Sequence, residues 1–360
     1  MTERLRLHFE PERGWINDPN GLIFWRGEYH AFFQHNPYAA KWDRMHWGHA
    51  VSRDLLHWEE RPIALFPDKN YENSGGCFSG SAVEHDGRLY LFYTSVSHEL
   101  GQTQSLAVTE DGEHFVKAAE NPLIRTLPRD ASPDFRDPKL TRIGNLWHMV
   151  LASGYGGAGR ILRYVSDDLL HWEYAGILYE NAALGQVFEC PDFFLLDGRY
   201  VLSFSRIGCR RGATLLAAGD FDGECFTPDS VEAVEEGPHF YAPQTFEAPD
   251  GRRIMIGWMH SWGALPGDGG VYKGAFSLPR ELHVRGGRVV SEPIREAAPY
   301  LTVSDDAVEI GEDRVAVRVR VGDEPLEYRG AVRSVSVLRD TRTVEVFVNG
   351  GERVLSYWLF

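Results

Sequence analysis

Gly27-Glu28-Tyr29-His30-Ala31-Phe32-Phe33-Gln34 decides the fold, because the chain says it five times. A turn glycine followed by an apolar, strand-forming run returns at Gly87 (GRLYLFYT), Gly144 (GNLWHMVL), Gly198 (GRYVLSFS) and Gly251 (GRRIMIGW), at steps of 60, 57, 54 and 53 residues. Each run is rich in β-branched and aromatic residues and opens on a residue that tolerates positive φ, the signature of a hairpin. A second element keeps the same phase. Ser52-Arg53-Asp54-Leu55-Leu56-His57-Trp58 recurs as Thr109–Phe115 and as Ser166–Trp172, each copy 57 residues after the last. Its polar turn ends on an aromatic suited to plug between neighbouring sheets, so its His and Trp are read as structural.

A period in the fifties built only of strands and turns fits four-stranded propeller blades, slightly long for the usual range. A parallel β-helix repeats on a far shorter period. The expectation is an all-β chain: a five-bladed β-propeller over residues 1–293, a linker over 294–300 and a short β-sandwich-like domain over 301–360. Asn349-Gly350-Gly351 marks a hairpin within that last segment. The closing Leu355-Ser356-Tyr357-Trp358-Leu359-Phe360 is apolar and must pack on the propeller or on a second copy, so a homo-oligomer through this domain is an open possibility.

Composition narrows the function. The chain has 360 residues, 43% hydrophobic and 25% charged, with a formal charge of −15. No basic run suits nucleic acid or an anionic membrane. No apolar run reaches the roughly 18 residues of a membrane span, and the N-terminus lacks a signal-peptide core, so a cytoplasmic location is expected. Cys77, Cys190, Cys209 and Cys225 are widely spaced, which points to buried free thiols rather than disulfides or a metal knot.

In a propeller the first strand of each blade lines the central channel. The residues a few positions before each repeat glycine are therefore the candidates for a site: Asp18, Ser79, Asp137, Glu189 and Tyr241. Three of the five are carboxylates, and burying three around one axis is costly unless they work. A calcium site and a water-filled polar channel are the alternatives, though no Asp-rich calcium loop is present. The favoured chemistry is glycoside hydrolysis. A retaining enzyme uses one carboxylate as nucleophile and one carboxylic acid as general acid/base, about 5–5.5 Å apart. Phe188 and Cys190 offer Glu189 a dry setting that would raise its pKa. Arg136 is expected to keep the neighbouring Asp137 ionised. Trp15, Trp42, Trp47, Phe78 and Trp258 are candidate apolar walls. Gly14–Gly21 itself, with Asp18-Pro19-Asn20-Gly21, reads as a β-turn that aims Asp18 inward.

W-I-N-D-P-N-G (Trp15–Gly21), F-S-G-S (Phe78–Ser81), F-R-D-P (Phe135–Pro138) and F-E-C-P (Phe188–Pro191), in that order and spacing, resemble glycoside hydrolase family 32, the β-fructofuranosidases. H-W-G-H-A at His46–Ala50, I-G-W at Ile256–Trp258 and S-L-P-R-E-L at Ser277–Leu282 add to the match, which is dense over about residues 8–295. The resemblance implies a five-bladed propeller followed by a β-sandwich, and a retaining hydrolase of terminal β-D-fructofuranosyl bonds needing neither metal nor organic cofactor. It implies Asp18 as nucleophile, Glu189 as general acid/base and Asp137 as transition-state stabiliser. Trp15, Asn17, Gln34, Trp42, Phe78, Ser79, Arg136, Tyr241 and Trp258 fall where the family contacts its sugar or supports those contacts, and Cys190 falls beside the acid as a supporting residue. Its substrate would be sucrose, sucrose 6-phosphate or a short fructo-oligosaccharide. A fructosyltransferase with the same site, and a non-catalytic sugar-binding propeller, are the other readings. The family's sandwich is longer than sixty residues, so the one here is expected to be reduced. Loops near Ser97–Gln104, Gly154–Gly159 and Trp262–Gly270 are expected around the pocket mouth.

Overall fold

The computed structural model describes residues 3–263, 270–320 and 326–359. Five antiparallel sheets follow one another along the chain, each threaded in sequence order from an inner to an outer strand. The inner strands are Gly14–Trp25, Gly76–His85, Phe135–Ile143, Phe188–Leu196 and Tyr241–Glu247. Each touches the inner strand before and after it, and the fifth touches the first, so they form a closed ring. Chain from the fifth sheet completes the closure: Tyr272–Lys273 adds to the first sheet in parallel, beside Gly14 and Trp15. Helix is confined to two short 3₁₀ segments, Asn70–Glu72 and Arg295–Tyr300. No helix among the described residues is long and apolar enough to cross a membrane.

The repeated glycines do what the pattern asks of them. Arg26-Gly27, Asp86-Gly87 and Asp197-Gly198 each turn a two-residue hairpin with both residues at positive φ, between 50° and 87°. That twist matches the strands it joins. The plug element is also as read. In its three copies Asp54, Asp111 and Asp168 accept hydrogen bonds from the backbone three residues on and hold His57, His114 and His171 at 2.7 Å. The aromatics then wedge into the preceding sheet: Phe115 meets Phe32 edge-on at 5.7 Å, and Trp172 meets Phe92 likewise at 5.7 Å. A fourth copy, Asp222–Phe226, escaped the sequence reading because Cys225 stands where the others have His. Asp222 still caps the backbone of Glu224 and Cys225, and Phe226 is buried.

Three expectations fail. Asp18–Gly21 is not a β-turn but the middle of a continuous strand, in which Pro19 faces Phe33 and Asn20 faces Phe32. Register shifts flank that pair, and Gly21 at φ 53° absorbs the irregularity as a bulge. Trp47 forms no sugar wall; it is fully buried among Phe32, Tyr93 and Cys77 in the core between the first two sheets. Of the four free cysteines only Cys77 and Cys190 are buried.

After Pro293 the Arg295–Tyr300 segment buries Ala297 against the core shared with Leu338. Two further sheets follow, one of Leu301–Thr302, Val335–Arg339, Thr343–Val348 and Arg353–Trp358, the other of Val308–Ile310, Ala316–Val319 and Leu326–Arg329. Asn349–Gly351 lies in the hairpin between Thr343–Val348 and Arg353–Trp358. The apolar C-terminal stretch turns onto the propeller of its own chain. Trp358 is fully buried with Leu5, Met259 and Ala275, its indole N–H donating to the Met259 carbonyl at 3.1 Å. Between the two parts lies a buried ionic cluster. Arg280 bridges Glu235 and Glu345, while His8 joins Glu345 at 2.9 Å to Asp340 at 2.8 Å.

Candidate active site

The five inner strands share one irregularity near their starts. A register shift against the second strand falls at Ile16/Pro19, Cys77/Gly80, Arg136/Lys139, Glu189/Asp192 and Tyr241/Gln244. Two residues there oppose one, which re-aims side chains toward the axis. In the last three sheets the shift sits in a Phe-X-Y-Pro motif. Its Y residue, Asp137, Cys190 or Ala242, holds a positive φ of 64°, 49° or 50°. A left-handed backbone at a non-glycine residue is strained, and such strain gathers at functional positions. This corrects the phase inferred from sequence. Arg136, Glu189 and Tyr241 are the equivalent residues of neighbouring sheets, and Asp137 is equivalent to Cys190, not to Glu189.

Those equivalent side chains form a row. Arg136 donates to one oxygen of Glu189 from Nε at 3.2 Å and from Nη2 at 3.0 Å, and the Tyr241 hydroxyl donates to the other. Burial and the Glu189 charge push the Tyr241 phenol far up, so it stays a donor. Arg136, expected to keep Asp137 ionised, makes no ion pair with it. The guanidinium reaches Glu189 and Asp134 instead, acting on Asp137 only through its field.

Asp18 and Asp137 sit deeper. Trp15 donates its indole N–H to Asn17 Oδ1 at 2.7 Å, which turns the Asn17 amide N–H toward Asp18 Oδ1 at 3.0 Å. Ser79 donates to Asp18 Oδ2 at 2.6 Å. Burial raises the Asp18 pKa, the Ser79 and Asn17 hydrogen bonds oppose the rise, and the Glu189 charge adds to it. Burial likewise pushes Asp137 up to about 7, against the pull of Arg136 and with the help of Glu189 and Asp18. The Cys190 backbone N–H donates to Asp137 Oδ2 at 2.8 Å. Its thiol lies between the two carboxylates, 3.4 Å from Asp18 and 3.5 Å from Asp137, and burial keeps it protonated. Among the described residues no group of three His, Cys, Asp or Glu is placed to hold a metal ion.

Asp18, Asp137 and Glu189 line one cavity of about 370 Å³ together with Asn17, Gln34, Trp42, Phe78, Ser79, Arg136, Tyr241 and Trp258. Two residues singled out from sequence lie behind it. Trp15 is buried, stacked on Trp262 at 5.4 Å and edge-on to Trp258 at 5.7 Å, and Cys190 backs the carboxylates. Trp42, 43% exposed, stands edge-on to Phe78 at 6.0 Å as one apolar wall. Three lining residues were missed: Gln102, Asp134 and Trp262. Gln102 and Trp262 belong to loops expected at the mouth. Asp134 had no signal beyond lying two residues before Arg136. The Gly154–Gly159 hairpin is not among the residues that line the cavity. Residues 264–269 of the third expected loop lie outside the described residues.

Residues 8–293 match the family described as glycosyl hydrolases family 32 N-terminal domain. A sucrose-6-phosphate hydrolase of Zymomonas mobilis is 38% identical over 81% of this chain and 62% of its own length. A raffinose invertase of Escherichia coli is 39% identical over 81% of this chain and 64% of its own. The chain thus spans a little under two thirds of the length of these curated relatives. Among solved structures, a Bombyx mori β-fructofuranosidase in complex with sucrose superposes with a TM-score of 0.88 at 28% identity, covering 99% of this chain and 89% of that one. The fold is the β-propeller with a β-sandwich that such neighbours share, and the chain belongs to glycoside hydrolase family 32.

Proposed function

We propose that this chain hydrolyses terminal non-reducing β-D-fructofuranosyl bonds with retention of configuration, by double displacement. The five sheets are the blades of a five-bladed propeller spanning residues 1–293; residues 294–300 link it to a small sandwich over 301–360. The observation that carries the reading is the convergence of Asp18, Asp137 and Glu189, from three different inner strands, in one cavity that also presents Asn17, Arg136 and an aromatic wall.

Asp18 is the nucleophile. Desolvation makes its carboxylate reactive, while Ser79 and Asn17 hold one oxygen each and so fix its direction of attack. Glu189 is the general acid. The dry surround expected from Phe188 and Cys190 is not what it has: its side chain is 24% exposed. As a carboxylate it accepts from Arg136 and Tyr241, so it serves directly as the base of the second step, and as the acid of the first once it has taken up a proton. As Asp18 bonds to the anomeric carbon, Glu189 gives its proton to the departing oxygen. Water then enters, loses a proton to Glu189 and displaces Asp18, so two inversions leave the configuration as it began. Asp137 accepts hydrogen bonds from ring hydroxyls, which strengthen as positive charge grows on the ring.

Asp18→Asn keeps the shape and removes the nucleophile. Sucrose turnover should fall by at least about 10³-fold, some 4 kcal/mol of barrier. Turnover within tenfold of the parent would sink the assignment.

A further inference from the structure

Resting on that reading, the charge of the cavity carries one step more, toward the class of sugar it admits. The relatives do not decide it: most of those compared are named for a phosphorylated sugar, while the raffinose invertase, equally similar, is named for a neutral one. The lining does. Four carboxylates face the cavity, Asp18, Asp134, Asp137 and Glu189, and among the described lining residues Arg136 is the one cation.

That cation is already occupied. A guanidinium has five N–H groups. Nε and Nη2 serve Glu189 at 3.2 and 3.0 Å, and Nη1 serves Asp134 at 2.6 Å and Gln102 at 3.1 Å. Four N–H groups are engaged, leaving one, whereas gripping a phosphate dianion calls for paired charge-assisted bonds. Two further cations flank lining residues without joining the lining: Lys273 donates to the Trp262 carbonyl at 3.1 Å and lies over the Trp15 ring, and Lys41, next to Trp42, is exposed and 4.0 Å from Asp43. For a neutral sugar the same lining is well suited, because hydroxyl groups donate and carboxylates accept.

We propose that the site takes uncharged fructosides such as sucrose and rejects sugars bearing a phosphate dianion, and that Asp134 is the residue that sets the rejection. Asp134 is the position for that role because its side chain is 44% exposed at the opening while it still neutralises Arg136.

The test compares initial rates on sucrose and sucrose 6-phosphate. We expect kcat/KM for sucrose to exceed that for the phosphate ester by at least about tenfold, and Asp134→Asn to shift the ratio toward the ester by about threefold or more. Equal or better use of the ester by the parent overturns the proposal. An unchanged ratio in Asp134→Asn overturns the role of that residue. If neither sugar is turned over, the hydrolase reading fails instead. Calorimetric binding of the two sugars to Asp18→Asn then still decides: tighter binding of sucrose supports the preference, and tighter or equal binding of the ester overturns it.

Discussion

At the scale of single residues, the site separates carboxylates by surroundings rather than by type. Asp137 is buried, with one oxygen held by the Cys190 backbone, and burial pushes its pKa up to about 7. Asp18 is raised by the same cause. In the proposed reaction both must be ionised, since a protonated Asp18 could not attack and a protonated Asp137 would lose an acceptor. The charged form of Asp137 is the one that burial disfavours, so acid should deplete it at ordinary pH. We expect kcat/KM to fall about tenfold per pH unit below an apparent pKa near 7, a value belonging to the interacting carboxylates together. A plateau extending down to pH 5 would contradict it. The carboxylates were legible from sequence because few other roles would seat three of them on inner strands. Their pairing was not. Adjacency in the chain suggests that Arg136 serves Asp137, whereas at the bulge both residues face the cavity and the guanidinium reaches across to Glu189 on the next sheet.

At the scale of elements, repetition made the fold readable. Hairpin glycines and the Asp-x-x-His-Trp plug use local chemistry, positive φ and backbone capping, that sequence displays directly. The bulges use long-range chemistry. Each exists because a strand must stay paired on one edge while presenting two residues to the axis, and the shift appears only when the partner strand is in place. Asp-Pro-Asn-Gly has the composition of a turn, although pairing with Glu28–Asn36 keeps the Asp18 strand extended. Asp134 and Gln102 were hidden for a related reason. They matter through Arg136, and no spacing rule connects residue 102 to residue 136. The fourth plug, with Cys225 for His, shows that the aspartate and the aromatic are the essential parts of that element.

At the scale of the whole molecule, the N-terminal segment fastens the propeller to the C-terminal sheets. Asp340 accepts from the backbone N–H groups of Arg6 and Leu7, and His8 lies buried between Asp340 and Glu345. Burial alone would lower the His8 pKa, but the two carboxylates overturn that and push it up to about 9, while His8 and Arg280 hold Glu345 down at about 2. The imidazolium therefore stabilises the fold fully below its unfolded value near 6.5, and the contribution is lost as pH rises through 9. Its size is about 3 kcal/mol. Urea unfolding should show the gap between the parent and His8→Gln closing by about that amount between pH 6 and pH 10. A gap that stays constant would show that the segment is held by Asp340 and packing alone.

In the proposed mechanism Asp18 forms a covalent bond to the fructosyl unit, and that intermediate can be trapped. Glu189→Gln lacks the acid and the base, yet β-D-fructofuranosyl fluoride needs no protonation to lose fluoride, so the first step should proceed and the second stall. Peptide mass spectrometry after a short incubation should find one fructosyl residue, esterified to the peptide carrying Asp18. An adduct on Asp137 instead, or fluoride release from Glu189→Gln with no adduct formed at any time, would rule out Asp18 as the nucleophile.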